Sequence, residues 1–133
     1  MSAVNAIYNI LANNSGVTAL VGTKMYPALA DQRITGSRIV YTSVGGTNWP
    51  TLADGQSRIA NQRIQVDSYA STYESAQQLA AAVLAALDGQ RGTFAGIVVA
   101  GITRSTGPID FVEQDADPIL YRVSQDYHVT YRE

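Results

Sequence analysis

Four carboxylates stand within eight residues: Asp110, Glu113, Asp115 and Asp117. Oxygen ligands at that density suit a hard divalent cation, which gathers roughly six to eight of them. Their spacing does not follow the calcium-binding loop of helix–loop–helix proteins, and Pro118 follows at once. The segment therefore also reads as a solvated acidic turn, and no metal site is assigned to it. His128 is the single histidine. Its ordinary titration range would suit a general acid or base. It shares side-chain parity with Asp126 and Thr130 on the polar side of an alternating run, and no motif selects a nucleophile beside it. A surface or subunit-contact histidine is the reading that remains. Cysteine is absent, which removes disulfides, thiolate nucleophiles and cysteine metal sites together. Gly45-Gly46 lacks the lysine and hydroxyl residue of a phosphate loop, and Gly101 to Gly107 lacks the dinucleotide-binding spacing. These residues imply no catalytic set, no metal and no cofactor, so the expectation is a protein that is not an enzyme.

Aromatic side chains offer recognition rather than catalysis. Trp49 lies beside Pro50 in a stretch broken by glycines, Gly45 to about Gln56, which reads as a loop or hairpin arm. It anchors either the chain's own core or a contact between subunits. Tyr121, Tyr127 and Tyr131 fall on one face of the final alternating run. Core packing explains them, and so does an interface, since tyrosine joins apolar area to a polar tip. Stacking on single-stranded nucleic acid would need a basic groove, and Lys24 is the only lysine.

The elements that must hold these residues can be read from periodicity. Ser2 caps a helix to about Asn13, with Val4, Ile7, Ile10 and Leu11 as its apolar stripe. A short apolar turn through Val17, Leu20 and Val21 ends at Gly22, and Tyr26-Pro27 leads into extended chain. Arg38 to Val44 is rich in strand formers, and Arg58 to Ala70 alternates Ile64 and Val66 with Arg63, Gln65 and Asp67. Ser71 and Glu74 have capping-box spacing, predicting a helix to Leu87 or Asp88 that stops at Gly89. Ile97 to Ile102 reads as a strand, Arg104 to Pro108 as a turn, and Pro108 to Glu113 as a short return strand. In the final run, Ile119, Tyr121, Val123, Tyr127, Val129 and Tyr131 share one face with Gln125. Leu120, Arg122, Ser124, Asp126, His128, Thr130 and Arg132 share the other. The expected fold is α+β, with two layers: a mainly antiparallel sheet covered on one face by helices, in a single domain over residues 1–133.

Bulk composition narrows the function classes. The chain has 133 residues, 46% of them hydrophobic, which suits a folded core rather than disorder. Only 15% are charged, against about 25% in an ordinary soluble domain. Neutral polar residues or neighbouring subunits must cover the remaining surface. The net charge is −2, with an excess of +3 over residues 1–64 and −5 over residues 65–133. No basic cluster supports sequence-independent DNA binding. No apolar run approaches the ~20 residues of a membrane-spanning helix, and the residues after Met1 lack a basic leader region, so neither membrane nor secretion is expected.

Four blocks carry a family resemblance: VTALVGTKMYP at 17–27, RIVYTSV at 38–44, NQRIQVDSYASTYESAQQLAAAVLAAL at 61–87, and LYRVSQDYHVTYRE at 120–133. Together they resemble the small tail completion, or tail terminator, proteins of long-tailed bacteriophages. That resemblance implies an α+β subunit in a hexameric ring on the head-proximal end of the tail tube, assembled in the host bacterial cytoplasm. Such a ring stops tube polymerisation and offers a surface to the head connector or neck protein. DNA passes through its lumen without sequence-specific binding, and no catalytic residue or cofactor is implied. A neck or connector component and a small non-catalytic protein-binding module are the alternative readings. A sliding path for DNA is best without strong positive charge, so carboxylates among Asp110, Glu113, Asp115 and Asp117 are expected on the lumen or on one ring surface.

Overall fold

The computed structural model describes residues 2–27, 37–50, 58–113 and 120–132. In chain order the elements are α1 (Ser2–Ala12), α2 (Ser15–Val21), β1 (Met25–Pro27), β2 (Arg38–Pro50), β3 (Arg58–Ala70), α3 (Tyr73–Leu87), β4 (Gly92–Phe94), β5 (Ile97–Glu113) and β6 (Leu120–Arg132). The strands form one six-stranded sheet in the order β1-β2-β3-β6-β5-β4. The β1–β2 pair is parallel, and the β2–β3, β3–β6, β6–β5 and β5–β4 pairs are antiparallel. The fold is thus α+β: a mixed sheet curled into a half-barrel, with three helices.

The helices form where local signals place them. α1 buries Ala3, Ala6, Ile7, Ile10 and Leu11, with Val4 partly buried against the same core. Asn14 opens α2 by accepting the Val17 amide on its side-chain oxygen at 3.1 Å, and Gly22 closes it with φ +61°. The start of α3 differs from the capping-box reading. Thr72, not Ser71, is the cap, and its hydroxyl oxygen accepts the Ser75 amide at 3.1 Å. The β3–β6 ladder ends at Ala70, opposite Tyr121, where the sequence reading ends the strand, and Ser71 lies between strand and cap. At the other end Gly89 takes φ +80° and donates its amide to Ile102 O at 2.8 Å, which ties the helix exit to β5.

Two strands are longer than their composition suggests. β2 does not stop at Val44 but continues through a register shift between Ser43 and Gly45, and stays paired with β3 to Pro50. The expected arm is therefore paired strand up to that point, and residues 51–57 lie outside the described ones. Likewise Arg104 to Pro108 is no turn, and Pro108 to Glu113 does not return. β5 keeps one direction along β6 and absorbs its irregular residues in shifts between Val99 and Gly101, Arg104 and Thr106, and Thr106 and Ile109. The three-residue β4 at the sheet margin was not anticipated from the sequence.

The main core lies between the helices and one face of the sheet. Ile64 and Val66 of β3, Tyr127 and Val129 of β6, and Val99 and Ile102 of β5 meet Leu79, Val83 and Leu87 of α3 and the α1 stripe in one cluster. Beside it, Ala76 and Ala80 of α3 meet Ala70 and Val123 in a smaller cluster against which Tyr121 packs. The alanines let the helix approach the sheet closely, as their small size predicts.

Candidate functional site on the helix-free sheet face

Alternation sends every second side chain of β3 and β6 away from the helices. That second face carries Asn61, Arg63, Gln65, Asp67 and Tyr69 from β3, and Arg122, Ser124, Asp126, His128, Thr130 and Arg132 from β6. It is polar and internally bonded. Asn61 donates from Nδ2 to Thr130 Oγ1 at 3.0 Å, while its Oδ1 lies 2.9 Å from His128 Nδ1. An amide oxygen only accepts, so Nδ1 carries the ring proton. Arg63 Nε stands 3.4 Å from Asp126 Oδ2, a half-exposed pair.

Asp67 is the buried charge of this face, at 5% exposure. Gln65 Nε2 donates to both of its oxygens at 3.1 Å, and Arg122 Nη1 lies 4.0 Å from Oδ2. One row along, Arg38 covers the Tyr69 ring at 4.9 Å, a cation–π contact. Register sets Arg38, Tyr69, Arg122 and Phe111 side by side across four strands. At the opposite end of the face a second row holds Trp49, Ile59, Arg132 and Val98. Ile59 and Val98 are exposed, giving that end an apolar character.

The expected site residues separate in space. His128 is half-buried in the polar network, and its Nδ1 partner is an amide rather than a hydroxyl or carboxylate. Tyr127 and Tyr131 are buried in the chain's own core, as the packing reading of the tyrosines requires. Tyr121 is partly buried, with its ring 6.2 Å from that of Tyr73 in an edge-on arrangement. Asp110 sits opposite Val123 and Glu113 opposite Leu120, so the register places these two acids on opposite faces of β5. Their side chains and that of Trp49 lie outside the described ones, as do residues Asp115, Asp117 and Ile119. Among the described residues, no group of three or more His, Cys, Asp or Glu is placed to hold a metal ion.

Sequence reasoning passed over Asn61, Arg38 and Arg122. Parity alone marked Arg122 as outward-facing and Asp67 as polar, but nothing local says that the two meet. Their juxtaposition comes from the β3–β6 register, in which Asp67 pairs with Ser124 and Tyr69 with Arg122.

Comparison with known proteins agrees with the fold. A solved chain from the virion of a native gene transfer agent particle superposes with a TM-score of 0.78 at 16% identity, covering 99% of this chain and 96% of that one. At that identity the match speaks for the shared fold. No curated protein matches the chain. A family model, described as tail completion protein gp17, matches residues 5–132. With nearly every described element inside that match, the chain belongs to the tail completion protein gp17 family.

Proposed function

We propose that this protein closes the head-proximal end of a phage tail tube as a hexameric ring, stops further tube polymerisation and offers the surface on which the head connector docks. The observation that carries this reading is the family match over residues 5–132, which assigns the chain a structural part in tail assembly. Composition supports the ring. A surface with 15% charged residues and unlike charge in its two halves suits subunits that bury unlike patches against each other. The exposed Ile59 and Val98 at one end of the helix-free face support a protein contact there, with the tail tube protein or the connector. Glu113, by its register on that same face, is the acid proposed for the lumen or a ring surface. Asp110 falls on the other face and is proposed for the ring exterior or a subunit contact. DNA then passes a wall on which Arg63 and Arg122 stand beside the carboxylates of Asp126 and Asp67, which offset their attraction for phosphates.

The deciding experiment is electron microscopy of tails assembled with the gene deleted. Overlong tubes establish the termination role. Tubes of normal length that fail to join heads move the role to the neck, and normal infectious particles overturn the proposal.

A further inference from the structure

Among the described residues, the sheet ends in two unlike open edges. Its outer positions are held by strands of only three residues each. β1 reaches β2 at Ile39, Val40 and Tyr41, and β4 reaches β5 at Ile97, Val98 and Val99. The end of α3 takes two more edge groups of β5: Gly89 donates to Ile102 O, and Asp88 Oδ1 accepts the Arg104 amide at 3.3 Å. Among the described residues, β2 has only β3 beside it from Thr42 to Pro50, and β5 has only β6 beside it beyond Arg104. Rows of unpaired backbone donors and acceptors are templates for another strand, and proteins usually blunt or pair them.

We propose that Gly45–Pro50 of β2 in one copy pairs antiparallel with Ile109–Glu113 of β5 in the next, so that the sheet continues from copy to copy. This inference rests on the ring reading above and gives it a contact. Both segments are unshifted in their existing ladders, and both have the length of an ordinary strand. Pro108 lies at the register shift before Ile109, outside the segment. Direction also agrees. β3 opposes β2, β6 opposes β3 and β5 opposes β6, so β5 runs against β2. Rotation about a single axis keeps the same strand sense in every copy, and β2 meets the neighbour's β5 antiparallel. Because the two edges differ, the contact is head-to-tail and repeats around a rotation axis.

The short outer strands block diagonally opposite corners. Thr47 is level with Thr130 of β6 through Asn61, whereas Phe111 is level with Arg122. Those positions are eight residues apart on β6, or about 27 Å along a strand. Each copy is therefore displaced along the strands relative to the last, and the strands tilt, as they must when a sheet closes on itself. Charge bears on the choice of partner: Ile109–Glu113 carries Asp110 and Glu113, which disfavours pairing with its own copy, whereas Gly45–Pro50 is uncharged.

The chain has no cysteine, so engineered thiols report the contact directly. By register Thr47 and Phe111 lie on the same, helix-free face. Thr47→Cys is mixed under oxidising conditions with Phe111→Cys, and in parallel with Ile109→Cys and Glu113→Cys, which cover neighbouring registers on that face. Circular dichroism checks the fold of each single variant, and light scattering reads assembly independently. The expected result is a covalent dimer from at least one mixture and none from any variant alone. Ring-sized assemblies with no mixed dimer in all three pairings overturn the strand contact and leave the ring standing. Dimers from Thr47→Cys alone mean that two β2 edges meet, which also overturns it. A strict monomer without cross-links, in solution and on tail tubes, overturns both.

Discussion

The Tyr127 hydroxyl donates to Gln125 Oε1 at 3.1 Å, and both side chains lie on the buried face of β6. Gln125 is the single polar member of that alternating face, and Tyr127 supplies the partner that its burial demands. The pair sits in the layer where β6 meets the helices, so it is a core device rather than part of the outer polar network. Burial pushes the Tyr127 hydroxyl well above its ordinary range; Arg104 acts against this and Asp88 adds to it.

Tyr127→Phe removes the donor and leaves Gln125 Oε1 unpaired. The expected loss at neutral pH is about 1–3 kcal/mol, read from urea unfolding. Alkali should narrow the difference. The unfolded tyrosine ionises near 10.0, below the folded group. Its contribution is therefore complete below that pH and falls as pH rises through the folded value. Tyr41, raised by burial and then by Tyr8, adds to the same alkaline slope. A gap between wild type and Tyr127→Phe that stays constant from pH 8 to about 11 would show that the hydroxyl is solvated.

Helix capping gives a second contrast. Thr72→Ala deprives the Ser75 amide of its acceptor and should cost about 1 kcal/mol. Ser71→Ala, one residue earlier and exposed, should change stability by less than about 0.5 kcal/mol. Thermal unfolding of the two variants decides between the caps, and the reverse order would restore Ser71 to that position.

The outer polar face holds charges of unequal importance. Asp67→Ala leaves Gln65 Nε2 without its carboxylate acceptors and removes the carboxylate beside Arg122, so a loss of about 2–3 kcal/mol is expected. Arg63→Ala breaks a half-exposed pair with Asp126 and should cost no more than about 0.5 kcal/mol. Chemical denaturation at low and high salt separates them further. Only the Arg63 effect should shrink with salt.

The turn between β4 and β5 stores strain that a substitution can relieve. Ala95 takes φ +53° and Gly96 φ +78°, the pair of positive angles of a tight hairpin turn. Alanine is disfavoured there, whereas asparagine tolerates that conformation. Ala95→Asn should stabilise the protein by about 0.5–1 kcal/mol and raise its melting temperature. An unchanged or lower melting temperature would count against this turn geometry.

Much of the fold was legible from local pattern. The α1 stripe, the Gly22 and Gly89 stops and the β6 alternation with Gln125 alone among apolar residues all follow from neighbours a few positions away. So does the polar parity of Arg63, Gln65, Asp126 and His128. The two long strands were not legible. Glycine and threonine in β2 after Val44, and glycine and proline in β5 after Arg104, weaken any local preference for strand. What holds those segments extended is backbone bonding to β3 and β6, and the bulges absorb residues that do not fit. At α3 the helix was legible, but its cap is Thr72 rather than Ser71.

The candidate surface divides along the same line. Which side chains leave the helix-covered face follows from local pattern, because a strand's period of two is a local property. Which of them meet depends on how the strands are paired. Asn61 and His128 are 67 positions apart and share a hydrogen bond. Cross-strand register is set by the summed fit of whole strands and their turns, which no short stretch of sequence contains.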